Sequence, residues 1–367
     1  MTRQPFDPKT PCAALLLAAC ASLAAGEEPA FRRGVNAAGP EFGGALPGKV
    51  HKDYTFNNEA TFKYFAEKGL DLFRVPLKWE RLQTELGGEL DAEYLQHLKQ
   101  NVAWAKAHGG QVLLDLHNYG RRRVKLGEAW KSVVIDVEVE GEVRVTRAHF
   151  VDIWLKLSKE FKDEPAVWGY GLMNEPHDMG TSDWKAISNA AVKALRDSGD
   201  LKTILVAGLH WSNSADWGKH NGPKSWIDDP SGRFLYEAHC YFDSDRSGSY
   251  KKSYEEELKR DPDLARVGVR RLKDFADWCK ENKVGGFLGE FGVPRDDPRW
   301  YTEVLKNFMR GLDEAGMGGT YWAAGIFWGD NYKLSVHPAE KFTQDRPQLA
   351  VLLEHLAPRQ GTGDRGQ

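Results

Sequence analysis

Cysteine is scarce in this chain: there are four in 367 residues, and two of them, Cys12 and Cys20, fall within the first twenty. Only Cys240 and Cys279 lie further on, so a disulfide scaffold is excluded and no bridge between that pair is expected. An excess of either charge is also missing. The 50 Lys and Arg face 53 Asp and Glu, a formal net charge of −3, which argues against a nucleic-acid surface. The one sustained apolar stretch, PCAALLLAACASLAAG at 11–26, is too short to span a bilayer as a stable helix. No linker divides the chain, and no short repeat is visible in it.

Placed behind Arg3 and Lys9, the apolar stretch reads as an export signal occupying residues 1–25. No amphipathic period follows that would make it a structured segment. Cleavage after Ala24 would satisfy the small-residue rule at Ser22 and Ala24. Alternatively, LAAC at 17–20 resembles a bacterial lipoprotein signal, and Cys20 would carry a lipid anchor. On either reading the protein is exported, to the periplasm, the medium or the outer membrane. At the other end, the polar, Gly-rich RQGTGDRGQ at 359–367 reads as a disordered tail.

What the chain does have is apolar and aromatic substance: 41% hydrophobic residues, with 13 Trp and 12 Tyr. That is enough for a large core, with flat surface to spare for stacking on sugar rings. From about residue 31, short apolar runs alternate with amphipathic segments, the pattern of βα units around a parallel sheet. Eight strands are predicted: RGVNAAG from 33, DLFRVPL from 71, QVLLDLHN from 111, VWGYGLMNE from 167, TILVAGLHW from 203, FLYEAHCYF from 234, GGFLGEFG from 285 and GTYWAAG from 319. Several intervening helical segments close with Gly, as a left-handed C-cap requires. The fold class is therefore α/β, a single (β/α)8 barrel over 31–358. Residues 133–146, VVIDVEVEGEVRVT, alternate about a central Glu-Gly and predict a small inserted hairpin.

Catalytic groups of such a barrel gather at the carboxyl ends of its strands. Here those ends supply Asn36, Arg74, His117 with Asn118, Asn174 with Glu175, His239 with Tyr241, Glu290, and Trp322. Glu175 and Glu290, on the fourth and seventh strands, would face each other across the mouth. Two opposed carboxyls suit acid/base and nucleophilic work at a glycosidic bond. The glycines around Glu290 would let substrate approach closely, and Arg74 and Tyr241 would orient it as a nucleophile requires. Glu175, beside an amide and an apolar strand, is placed to protonate the leaving oxygen.

The segments GLMNEPHDM, GEFG, FRVPLKWERLQ, LDLHNYGR, AHCYFDSDRSG and YWAAGIFWGD resemble glycoside hydrolase family 5, most closely its fungal-type and related bacterial endo-β-1,4-glucanases, from about residue 33 to 338. The resemblance implies a retaining hydrolase with Glu175 as acid/base and Glu290 as nucleophile. It gives Asn174 a hydrogen bond to the sugar 2-hydroxyl and has Arg74 and Tyr241 orient the nucleophile. His117 and His239 position sugar hydroxyls and the acid/base, and Trp322 floors the subsite. Trp211, Trp217 and Trp328 become candidate stacking platforms. No metal, no organic cofactor and no partner chain is expected, and the protein is read as a monomer.

Three features bear on the substrate. DSDRSG at 243–248 resembles the start of a calcium loop, but its twelfth position, Tyr254, cannot supply the bidentate carboxylate. Arg121, Arg122 and Arg123 form either a solvated turn or a sensor for acidic groups on a glycan. Together with the hairpin they depart from the endoglucanase pattern, so a mannan, a xyloglucan or an anionic branched glucan stays open as the substrate. A lipoprotein that binds glycans without cutting them is the reading from another class; it predicts a missing carboxylate, and both are present.

Overall fold

The computed structural model describes residues 31–356; the export signal, Cys20 and the polar tail lie outside them. Eight parallel strands close a barrel in sequential order: β1 (Arg33–Ala37), β2 (Leu72–Leu77), β3 (Gln111–Leu116), β4 (Val167–Gly171), β5 (Thr203–Ala207), β6 (Phe234–His239), β7 (Gly285–Phe291) and β8 (Gly318–Ala324), with β8 pairing back onto β1. Each lies within, or one residue from, the run predicted for it. The outer layer is α1 (Glu59–Glu67), α2 (Ala92–Ala107), α3 (Arg147–Phe161), α4 (Trp184–Asp197), the short α5 (Trp217–Asn221), α6 (Val267–Asn282), α7 (Lys306–Glu314) and α8 (Pro347–Leu353).

Local chemistry sets the helix ends. Asn58, Asp91 and Asp183 each accept the N–H of the third residue on, and Thr146 pairs with His149 in a capping box. Gly69, Gly109, Gly199 and Gly316 follow α1, α2, α4 and α7 with φ of 90°, 76°, 80° and 65°, which is the left-handed exit expected of them. α6 instead exits through Lys283 in that conformation.

Strand periodicity sorts the barrel lumen into layers. Leu72, Leu113, Leu205, Leu235 and Phe287 pack together as a dry plug at one level. Two residues further along their strands come Arg74, Asp115 and Glu237, all buried. Two further again are His117 and His239. The lumen thus passes from apolar to charged to imidazole-lined toward the carboxyl ends of the strands.

Three expectations are corrected here. The Arg121–Arg123 run is no solvated turn: it opens an antiparallel hairpin, Arg121–Leu126 with Ala129–Val134. The predicted hairpin around Glu140–Gly141 shrinks to Glu138–Val139 paired with Glu142–Val143. Trp217 is no sugar platform either. It opens α5 fully buried, 4.5 Å from Phe275 and 5.6 Å from Trp278 between ring centroids, because α5 packs onto α6 behind the barrel wall. Cys240 and Cys279 are buried free thiols. Among the described residues no helix is long and apolar enough to cross a membrane.

Trp217→Ala should therefore cost about 3–5 kcal/mol of stability, whereas Trp211→Ala, at an exposed ring, should stay within about 0.5 kcal/mol of wild type. Urea unfolding of the two variants measures the difference, and equal midpoints would contradict the burial.

Candidate active site

Arg74 sits at the centre of the charged layer with no exposed surface. Its Nη1 donates to Asn36 Oδ1 at 2.8 Å and to Glu290 Oε1 at 3.1 Å, and Nη2 donates to Asn174 Oδ1 at 2.7 Å. Asp115 Oδ1 lies 3.0 Å from Nη2 and Glu237 Oε1 3.0 Å from Nε, charge contacts without hydrogen-bond alignment. Burial works against the guanidinium, but Asp115, Glu237, Glu290 and Glu175 outweigh it and raise its pKa.

Glu290 accepts at both oxygens, from Arg74 and, at 2.8 Å, from the Tyr241 hydroxyl. Burial and the Glu290 charge push the Tyr241 phenol well above its ordinary value, so it remains a donor. Glu175 lies beyond the end of β4, where Asn174 N still donates to Leu116 O, and its own φ of 46° turns the chain off the sheet before Pro176. Its carboxyl is more open than that of Glu290, 17% against 5% exposed, as a group exchanging protons with water must be.

His239 joins the two. Its Nδ1 is 2.7 Å from Glu175 Oε1 and 3.6 Å from Glu290 Oε2, and its Nε2 is 3.4 Å from Glu237 Oε1. Burial opposes the imidazolium, but Glu290 and the hydrogen bonds to Glu175 and Glu237 push its pKa up to about 10. Glu175 and Glu290 present oxygens within 4.8 Å of each other. His117 is the opposite case: burial lowers it to about 3, so it is neutral. Its Nδ1 donates to Asp115 Oδ2 at 2.8 Å, which leaves Nε2 to accept from Asn174 Nδ2 at 3.1 Å. Asn174 keeps one amide N–H for a ligand.

Trp322 stacks on His117 with centroids 5.7 Å apart, and its Nε1 donates to Tyr332 at 3.1 Å. Trp328 stacks on Tyr332 at 4.0 Å and meets Phe42 edge-on at 4.8 Å. On the Glu175 side, Trp211 is 41% exposed and stacks on His177 at 4.5 Å, in a cleft of about 770 Å³ shared with Glu175, His239 and Tyr241. These rings form the walls of an open groove.

Some expected roles move. Asn118 accepts from Trp79 N and donates to Glu80 Oε2, both at 2.9 Å, so its amide braces the loop after β2 instead of reaching a sugar. Arg121 donates to the carbonyls of Tyr119 and His177, and the buried Arg122 to those of Gln83 and Thr84, which removes two of three guanidiniums from any sensor. Asp243 accepts from Gly248 N and Tyr250 N and so folds the loop against the Tyr241 ring. Gly289, expected to admit substrate, admits Glu237: a Cβ there would lie 1.9 Å from its Oε1. Asp115 and Glu237 were missed, although each stands two residues before a strand-end His and hence on the same strand face.

A parallel barrel whose mouth holds two opposed carboxyls in a groove of aromatic rings defines a glycoside hydrolase. The model of the cellulase family, glycosyl hydrolase family 5, matches residues 34–327, and the chain belongs to that family. It is 30% identical over 309 residues to endo-β-1,4-glucanase B of Aspergillus niger, covering 84% of this chain and 85% of that protein. Endo-β-1,4-glucanase A of Emericella nidulans is also 30% identical, over 88% and 92% of the two chains. Among solved structures, Pseudomonas stutzeri endoglucanase Cel5A in complex with cellobiose superposes with a TM-score of 0.78 at 34% identity, over 89% and 92%. XacCel5A in complex with cellopentaose gives 0.76 at 32%, over 89% and 100%.

The His239 shift carries a pH consequence with a definite sign. Its folded pKa of about 10 lies above the unfolded value of about 6.5. The native state therefore binds the extra proton, and the stability this contributes is full below pH ~6.5 and lost as pH rises toward 10. Unfolding measured from pH 6 to 10 should show this decline in wild type and a flatter profile in His239→Gln; superimposable slopes would contradict a charged His239.

Proposed function

We propose that this chain is an exported, endo-acting β-1,4-glucanase that works by double displacement with net retention at the anomeric carbon. The observation that carries the reading is the separation of the two carboxyls. An oxygen of Glu175 lies within 4.8 Å of an oxygen of Glu290, and both carboxyls meet His239 Nδ1, at 2.7 and 3.6 Å, a closeness that favours a retaining pair, with carboxyls ~5 Å apart, over an inverting pair that leaves ~6.5–9.5 Å for its water. The β-1,4-glucan assignment draws on the names of the relatives, and the open aromatic groove suits a long chain bound along its length.

In the first step Glu175 gives its proton to the glycosidic oxygen while a Glu290 oxygen attacks the anomeric carbon. The C–O bond to the leaving sugar breaks and a glycosyl ester forms. In the second step Glu175 takes a proton from water, the water oxygen attacks the same carbon, and the ester bond breaks to return Glu290 as carboxylate. Arg74 and Tyr241 hold Glu290 in line at both oxygens. The charged His239, 2.7 Å away, stabilises the Glu175 carboxylate as it forms. The free N–H of Asn174 serves the 2-hydroxyl, Trp322 the floor of the cleaved subsite, and Trp211 the leaving side. Trp328 with Tyr332 serves the other side.

Glu290→Gln should abolish sugar release from mixed-linkage β-glucan, and Glu175→Gln should lower it by about 10²–10⁴-fold. NMR of the first products should show the β-anomer before mutarotation; an initial α-anomer would overturn the mechanism. Faster cleavage of mannan or xyloglucan than of β-glucan would keep the chemistry and change the substrate. Export rests on the apolar residues 11–26. The mature N-terminus, mapped by mass spectrometry, should begin after Ala24 or carry lipid on Cys20, and an intact Met1 in exported protein would contradict it.

A further inference from the structure

The loop after β5 and the helix α5 that follows it hold a second constellation that the hydrolytic steps do not use. His210, Asp216 and His220 each offer a ligand-type atom, and these atoms lie within 4.8 Å of one another. We propose that the three form a binding site for a divalent transition-metal ion of the zinc type.

Two imidazoles and one carboxylate are the donor set that Zn²⁺ takes, with a fourth position left to water. Bonds of about 2.0–2.2 Å put two ligand atoms on one ion roughly 3–4 Å apart, so the three groups need to close by about an ångström. The His210 and His220 rings now face each other, centroids 3.8 Å apart and 11° from parallel. Coordination would require each ring to turn out of this stack about its Cβ–Cγ bond. His220 Nε2 is buried without a hydrogen-bond partner, an unfavourable placement that coordination would relieve. Asp216 accepts from Arg246 Nη1 at Oδ2 and has its other oxygen for the ion.

The site also touches the groove. His210 and Asp216 line the cleft that contains Glu175, and Trp211, the next residue after His210, is the ring stacked on His177. Drawing His210 toward an ion would move the leaving-side platform with it.

Calorimetric titration of the untagged chain with Zn²⁺ tests the assignment. Wild type and Glu290→Gln should each bind one ion in the micromolar range or tighter, and His220→Ala should bind at least tenfold more weakly. With EDTA present, the thermal melt of His220→Ala checks that it folds; Asp216→Asn, which keeps the side-chain shape, should show the same loss of affinity and serves if it does not. No uptake by wild type, unchanged uptake by His220→Ala or Asp216→Asn, or loss of uptake in Glu290→Gln, which would put the ion on the catalytic carboxyls, each overturns the proposal.

Discussion

The site depends on one buried cation. A guanidinium without water is costly, and Arg74 is tolerated because Asp115, Glu237 and Glu290 stand within about 3 Å of it on three different strands or strand ends. The dependence runs both ways. Without Arg74 those carboxylates would be buried with too little positive charge near them, and stranding even one partner of a buried pair costs about 3–5 kcal/mol. Lysine could not substitute. Its three donors are too few for a group that reaches Asn36, Asn174 and three carboxylates, and it lacks the planar fork that sets their directions. Fixing Arg74 fixes Glu290 and Asn174, two of the groups given contact with the reacting sugar.

The barrel supplies the geometry through periodicity alone. On β3 and again on β6 a carboxylate is followed two residues later by histidine, Asp115 with His117 and Glu237 with His239. Both pairs point into the lumen, yet their histidines take opposite states. His117 has one carboxylate at hydrogen-bond distance, and burial keeps it neutral and fixes its tautomer. His239 is contacted by three carboxylates, and it is charged. The same side chain is thus a hydrogen-bond acceptor for Asn174 on one strand and a cation beside Glu175 on another. A lumen that needed both functions obtained them by varying the number of acidic neighbours.

Much of this was legible in the sequence. The eight strands were, because each is a short apolar run ending in polar residues, and so was the placing of Glu175 and Glu290 opposite each other at the barrel mouth, because each stands at the carboxyl end of a buried strand. What escaped depended on partners distant in the chain. Trp217 and Trp211 are six residues apart in one loop, and only the packing of α5 on α6 makes the first core and the second surface. Asn118 looked like a site amide until Trp79 N and Glu80 claimed both of its ends. The three arginines gave a charge signal strong enough to hide a strand alternation, with Arg122 buried and Arg123 exposed. The glycine before Glu290 was read correctly as a mark of close approach, but the approaching group is a protein carboxylate.

The balance of charge in the lumen bears directly on the reaction. In the proposed mechanism Glu175 starts protonated, and Asp115, Glu237 and Glu290 then face Arg74 and His239, three acidic groups against two cations. The transition state for glycosidic cleavage carries positive charge on the sugar ring, so it enters a region with negative charge in excess and close at hand. Burial pushes the Asp115 carboxyl up despite Arg74. Once the ester has formed, Glu290 no longer carries its charge and Glu175 has lost its proton, so the anion has moved from one glutamate to the other. His239, within 3.6 Å of both, is the fixed cation between the two positions, and the net charge of the cluster is the same before and after the transfer.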